Sequence, residues 1–122
     1  MESKMLKLAV IGSRGFTDYN FFKEKLEYLI QNIKEDIQFV SGGAKSGGDA
    51  LIKRYCQENN LPLIEFLPDY SQYGKGATHI RNSRIVEFSD CLIAFWNSES
   101  KGTKSTIDKA RKKEIKIKIV EI

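Results

Sequence analysis

Three short stretches carry residues suited to holding an anion: "GSRGF" at 12–16, "SGGAKSGGD" at 41–49 and "NSESKGT" at 97–103. Each mixes Gly, Ser or Thr with a basic residue. The second is the densest, with four glycines between Gly42 and Gly48. Glycine loses more backbone entropy on folding than other residues, so such a cluster needs a reason. It lets backbone N–H groups turn inward around a negative charge. A helix starting just after the loop adds the positive end of its dipole. Arg14, Lys45, Lys101 and Lys104 supply full charges, and Ser13, Ser41, Ser46 and Thr103 supply hydroxyls. A tight strand-to-helix turn explains any one of these loops alone. Three loops of one chemistry point to an anionic ligand, with phosphate the best fit. Neither G-x-x-x-x-G-K-[ST] nor G-x-G-x-x-G with an acid on the second strand is present. The pattern is therefore not that of a P-loop NTPase or a dinucleotide-binding fingerprint.

Other residues have two readings each. Asp49 would repel a phosphate, so it either accepts from a ribose or base or caps the second helix. Arg81 and Asn82, in "THIRNSRIVEF", fall at the start of a helix and either organise a site or face solvent. His79 is the only histidine and has no evident partner, which favours a surface or structural role. Tyr70, Tyr73 and Trp96 are placed to stack on a base, with core packing preferred for Trp96.

Alternating periodicity positions these residues. "KLAVIG" (7–12), "IQFVS" (37–41), "PLIEFL" (62–67), "CLIAFW" (91–96) and "IKIKIVEI" (115–122) read as strands. Between them, helical spacing is clear in Phe22, Leu26, Leu29, Ile30 and Ile33, with Thr17 or Asp18 as cap. Further helices are expected from about Asp49 to Asn59-Asn60, from Thr78 to Phe88, and from Thr103 to Lys113. Residues 69–77 read as a polar, aromatic loop. Strand-helix alternation implies parallel pairing with right-handed crossovers. The expectation is one α/β domain over 1–122: a Rossmann-like three-layer sandwich with four helices and a five-stranded parallel sheet of order 3-2-1-4-5. The Ile/Lys alternation of the last strand marks a sheet edge. In that order the three loops meet where strand order reverses, the usual ligand position in open α/β sheets.

A chain of 122 residues is the size of one domain. No stretch approaches the ~20 apolar residues of a membrane span, and the N-terminus lacks the pattern of a signal peptide. Cys56 and Cys91 have no metal-ligand spacing and read as buried free thiols. A cytoplasmic location is expected, with no metal and no cofactor. The charge is uneven: residues 101–122 hold 8 Lys/Arg against 3 Asp/Glu, whereas residues 1–100 hold 12 against 13. The basic end suits either a solvated helix face or nucleic acid. The solvated face is preferred, because no aromatic residues interleave with the lysines.

"IGSRGFTDY", "VSGGAKSGGDAL", "THIRNSRIVEFSDCLIAFW" and "SKGT" together resemble the YspA-like branch of the SLOG superfamily. That superfamily also contains the lonely-guy hydrolases and the fold of DNA-processing protein A. The resemblance implies a Rossmann-like fold and a site for nucleotides or nucleotide-derived molecules. It places Gly12, Ser13 and Arg14 on the first loop, and Gly42, Gly43 and Asp49 on the second. Arg81 and Asn82 fall on the third helix, and Gly102 and Thr103 on the fourth loop. The hydrolases carry P-G-G-x-G-T-x-x-E in that fourth loop. Aligned on Gly102-Thr103, this chain has Ser98, Glu99 and Ser100 for Pro-Gly-Gly, and Thr106 for the catalytic acid.

The leading expectation is a module that senses or sequesters a nucleotide-derived small molecule, bound by these residues together with Ser41 and Lys45. A nucleotide hydrolase cleaving an N-glycosidic or phosphoester bond is the first alternative, with Asp49 and Glu99 as its candidate acids. A DNA- or RNA-binding protein using Lys109, Arg111, Lys112 and Lys113 is the second. A homodimer or larger homo-oligomer is expected, with Ile85, Val86 and Phe88 of the third helix at its interface.

Overall fold

The computed structural model describes residues 5–122. Residues 1–4, where the reading of the N-terminus and of the domain over 1–122 begins, lie outside the described residues. Five strands form one parallel sheet: β1 (Leu6–Gly12), β2 (Ile37–Ser41), β3 (Leu63–Glu65), β4 (Cys91–Trp96) and β5 (Lys116–Glu121). Their order is β3-β2-β1-β4-β5, as the alternation of strands and helices required. Four long helices connect them: α1 (Tyr19–Ile30), α2 (Gly47–Glu58), α4 (Ala77–Phe88) and α5 (Lys101–Lys113). The segment expected as a loop before α4 instead forms a short helix, α3 (Tyr70–Tyr73), and a 3-10 turn over Gly74–Gly76. Asp69 nucleates α3 by accepting from Gln72 N–H and Ser71 Oγ, a local side-chain bond that hydrophobic periodicity does not reveal.

The central strands alternate between two cores. Leu8 and Val10 of β1 join Phe22, Leu26, Phe39, Ile52 and Phe95 on one face. Ala9 and Ile11 join Val40, Ile85, Val86, Ala94 and Ile107 on the other. Each fully buried large side chain contributes about 1.5–3 kcal/mol, so both faces are firmly held. Ile85 and Val86 are 1% and 3% exposed. They are core residues of one chain and cannot form the intersubunit contact expected of them. Phe88 is half-buried, edge-on to Phe66. The apolar stripe of α4 is used up by its own sheet.

Local chemistry sets the boundaries. Asp18 caps α1 by accepting from Phe21 N–H at 3.1 Å. Asn60 ends the α2 region at φ 53, the left-handed conformation Asn tolerates. α5 begins at Lys101, two residues before the expected start, because Ser100 is its cap and accepts from Thr103 N–H. β5 pairs only with β4 and is mostly exposed, so it is the edge its alternation predicts. Cys56 is buried and Cys91 half-buried, both as free thiols; burial pushes the Cys56 thiol up to about 12.

Candidate functional site

The register sets Gly12 at the end of β1 level with Phe95 of β4, and Ser41 at the end of β2 level with Glu65 of β3. The chain leaves the sheet at these ends and enters α2 and α5, while α4 starts nearby. A cavity of about 280 Å³ opens there. Its floor is Ile11 and Gly12. The second loop supplies Gly42, Ala44 and Ser46, with Asp49 from the first turn of α2. α4 contributes Thr78, His79, Arg81 and Asn82. α5 contributes Lys101, Gly102, Thr103, Ser105 and Thr106. Arg14 closes the rim.

The starts of α2 and α5 and one side of α4 therefore line one small cavity. Neither the cap of α2, Ser46, nor that of α4, Gly76, has a side-chain bond to its helix. The first-turn N–H groups of α2 meet no capping side chain and can face an anion, whereas α4 runs on from the 3-10 turn, whose Gly74 carbonyl accepts from Ala77 N–H. Thr78, expected to cap the third helix, lies instead inside its first turn.

The second loop is held by an internal bracket. Arg81 donates from Nη1 to the Gly42 carbonyl oxygen at 2.6 Å and from Nε to Asn82 Oδ1 at 2.8 Å. Asp49 Oδ2 accepts from Ala44 N–H at 3.1 Å. Burial pushes the Asp49 carboxyl above its ordinary range, against the opposing pull of the Ala44 and Gly42 amides and the Arg81 charge. Asp49 is the third residue of α2 and reaches back to the loop, so it is not the helix cap weighed from the sequence. A Cβ on Gly42 would stand 2.6 Å from Arg81 Nη1 and 3.0 Å from Asp49 Oδ2. Gly42 is thus the glycine that admits the bracket.

Gly43 has a different reason. Its φ is +71, and a Cβ there would strike the Leu67 side chain rather than enter the cavity. Gly48 serves packing, since its Cβ would collide with the backbone of Gly12. The glycine cluster therefore mixes a site residue, a left-handed turn and a helix-to-strand contact.

Several candidates sit apart from the cavity. Ser13 is 2% exposed; its Oγ accepts from Asn97 N–H at 3.3 Å and its N–H donates to Phe95, tying β1 to β4. Ser41 is fully buried, with its Oγ accepting from Gly43 N–H. Both hydroxyls build the loops and do not line the cavity. Lys45 is exposed in a flanking depression with Arg14, Pro68 and Tyr70. Glu99 is exposed and outside the cavity wall, because Asn97 Oδ1 accepts the Glu99 and Ser100 N–H groups and turns that loop outward. The candidate acid pair Asp49 and Glu99 is therefore not assembled. Trp96 Nε1 donates to the Ser100 carbonyl at 3.1 Å, which fixes the α5 cap. Tyr73 is engaged by Arg84.

His79 is exposed, as a surface role requires, and it also lines the cavity, as do Ser105 and Thr106, which the sequence did not single out as ligand-binding. Thr106 is three residues after Thr103 on one face of α5, a spacing that could have indicated it. His79 had no such signal, because its neighbour across the cavity is 26 residues away at Ser105. On the basic segment, Arg111 lies 3.9 Å from Asp108, and Lys113 donates to the carbonyls of Val86 and Glu87. That leaves the proposed nucleic-acid stripe interrupted. Among the described residues, no group of three or more His, Cys, Asp or Glu is placed to hold a metal ion, and no helix is long and apolar enough to cross a membrane.

Sheet order, glycine loops and convergent helix starts together define a Rossmann-like α/β domain with its cavity at the topological switch point. The chain belongs to the YAcAr family, described as the YspA, cpYpsA-related SLOG family, whose model matches residues 6–73. The matched stretch includes the first two loops and ends before α4. No curated protein matches the sequence. Two solved structures of homoserine dehydrogenase from S. aureus, at pH 7.0 and pH 6.0, align with 97% and 95% of this chain. Identities are 15% and 11%, with TM-scores of 0.39 and 0.35. This chain spans 33% of the length of each, and a likeness at that level carries no argument about function.

Proposed function

We propose that the protein binds a nucleotide or nucleotide-derived small molecule in the cavity at the carboxyl ends of β1, β2 and β4. The observation that carries this reading is the convergence of the starts of α2 and α5 and the Arg81–Gly42 bracket on one cavity of about 280 Å³, with no side-chain cap on α2. Phosphate is the anion that such a cradle suits best. The volume is near the lower end of small-molecule sites, which run from about 300 to 1,000 Å³. It suits a mononucleotide-sized portion rather than a whole dinucleotide. Membership in the SLOG family supports the same ligand class.

In this reading the phosphate sits over the 42–46 loop and the start of α5. Arg81 and Asn82 form the wall of the cavity, and exposed Tyr70 lies beside it for a base. The role is sensing or sequestration. Titration calorimetry with a panel of nucleoside monophosphates tests it, and a panel with no measurable binding at millimolar concentration would overturn it.

A hydrolase is the second reading, favoured by the upward shift of Asp49 in the cavity wall, which suits a general acid. Incubation with nucleoside monophosphates, followed by chromatography for free base or released phosphate, separates the two. Binding without product supports the sensor.

A further inference from the structure

Beside the central cavity lies a second depression of about 380 Å³, between the start of α4 and the exposed face of α5. The two share His79, Lys101 and Ser105, so they are continuous. The remaining lining of the second is Lys104, Asp108, Lys109 and Lys112. Along α5 these positions recur three or four residues apart, which puts them on one side of the helix. We propose that this groove takes a second phosphate of the ligand, so that the site prefers a nucleotide carrying at least two linked phosphates over a monophosphate. The inference rests on the proposed binding of a nucleotide in the central cavity.

Three observations carry it. First, Lys101 and Lys104 lie in the first turn of α5, and that turn holds no acid. Cations at the positive end of a helix are unfavourable, where acids would normally stand. A bound anion between them and the helix end removes the repulsion. Second, the groove has one acid, Asp108, and its charge is already matched by Lys104 at 3.0 Å and Arg111 at 3.9 Å. Among the described residues, Lys101, Lys109 and Lys112 have no carboxylate within ion-pair distance. Third, the groove meets the central cavity at Lys101, next to Gly102 and Thr103, where the first phosphate is placed. A phosphate placed there lies at the join between the two. Lys112 alone has a simpler role, since the last turn of a helix favours a cation. At the other end Lys104 is offset by Asp108, and Lys101 has no such role.

The test uses AMP and ADP, with inorganic phosphate and pyrophosphate as base-free probes, in calorimetric titrations at fixed ionic strength. ADP should bind the wild-type protein about tenfold or more tightly than AMP, and pyrophosphate more tightly than phosphate. In a Lys109→Gln/Lys112→Gln double variant that preference should shrink to within about twofold, with AMP affinity kept. A Lys116→Gln/Lys118→Gln variant on the β5 edge makes the same change in net charge away from the groove and should keep the preference. Equal affinities of AMP and ADP for the wild type would overturn the second-phosphate site and leave nucleotide binding standing. A preference that survives in the α5 variant, or falls equally in the β5 variant, would also overturn it. Failure of all four probes to bind would remove both the site and the reading beneath it.

Discussion

Arg81 holds the carbonyl of Gly42 across the mouth of the cavity, with Nη1 donating at 2.6 Å over a sequence separation of 39 residues. The same guanidinium donates from Nε to Asn82. This fork fixes the second loop to α4, and a lysine cannot reproduce it. Arg81→Lys should lower stability by about 1.5–3 kcal/mol, the usual worth of a hydrogen bond to a charged group, and weaken nucleotide binding at least tenfold. Chemical denaturation and calorimetry on the folded variant check both outcomes.

The glycines should separate by role. Gly42→Ala places a methyl against Arg81 and Asp49, so it should displace the bracket and abolish nucleotide binding. Gly102→Ala meets nothing within 4 Å. In the first turn of α5 it should be neutral or stabilising by up to about 1 kcal/mol. Gly48→Ala collides with the Gly12 backbone, and overpacking of that kind costs about 1–3 kcal/mol or more. Thermal unfolding of the three variants should rank Gly102→Ala above Gly42→Ala, and Gly42→Ala above Gly48→Ala.

Asp49 carries a pH signature. Its folded-state carboxyl is shifted upward by burial, so the folded protein holds this proton to higher pH than the unfolded chain. Stability therefore falls as pH rises through the window that begins near the ordinary aspartate value of about 3.9 and extends upward. Asp49→Asn keeps an acceptor for Ala44 N–H and cannot ionise. The stability of Asp49→Asn relative to wild type should increase with pH across that window, then level off. Denaturant midpoints of both proteins between pH 3.5 and 7, in roughly half-unit steps, measure it. A difference that is flat or falls with pH would contradict the account.

Glu99 should be dispensable. It is exposed and turned away from the cavity by Asn97. Glu99→Gln should change nucleotide affinity by less than about twofold, and any turnover should survive it. A loss of either by tenfold would mean that the 97–100 loop folds inward when ligand binds.

The sheet was legible because its signals are strong and local: apolar runs for β1, β2 and β4, Ile/Lys alternation for β5, and helical spacing between them. The sequence placed β4 at 91–96 without error, since Leu92 to Phe95 are apolar and Ser89-Asp90 and Asn97 bound them. What escaped it depended on contacts between distant residues. Nothing in "SGGAKSGGD" says that Gly42 faces Arg81 while Gly43 faces Leu67. Nor does any local pattern show that the Ser13 hydroxyl accepts from Asn97 N–H and stays out of the cavity wall. The expected role of Ile85 and Val86 failed because an apolar helix stripe reads alike whether it meets its own sheet or another chain.

The location of the ligand is the central claim, and amide chemical shifts test it most directly. In a two-dimensional 15N–1H titration with AMP, the largest shifts should fall on residues 42–46, 81–82 and 101–103, around the cavity. Residues 35–37 and 89–91, at the opposite end of the sheet, should be nearly still. Saturable shifts clustered at that opposite end, or none at all, would contradict the account.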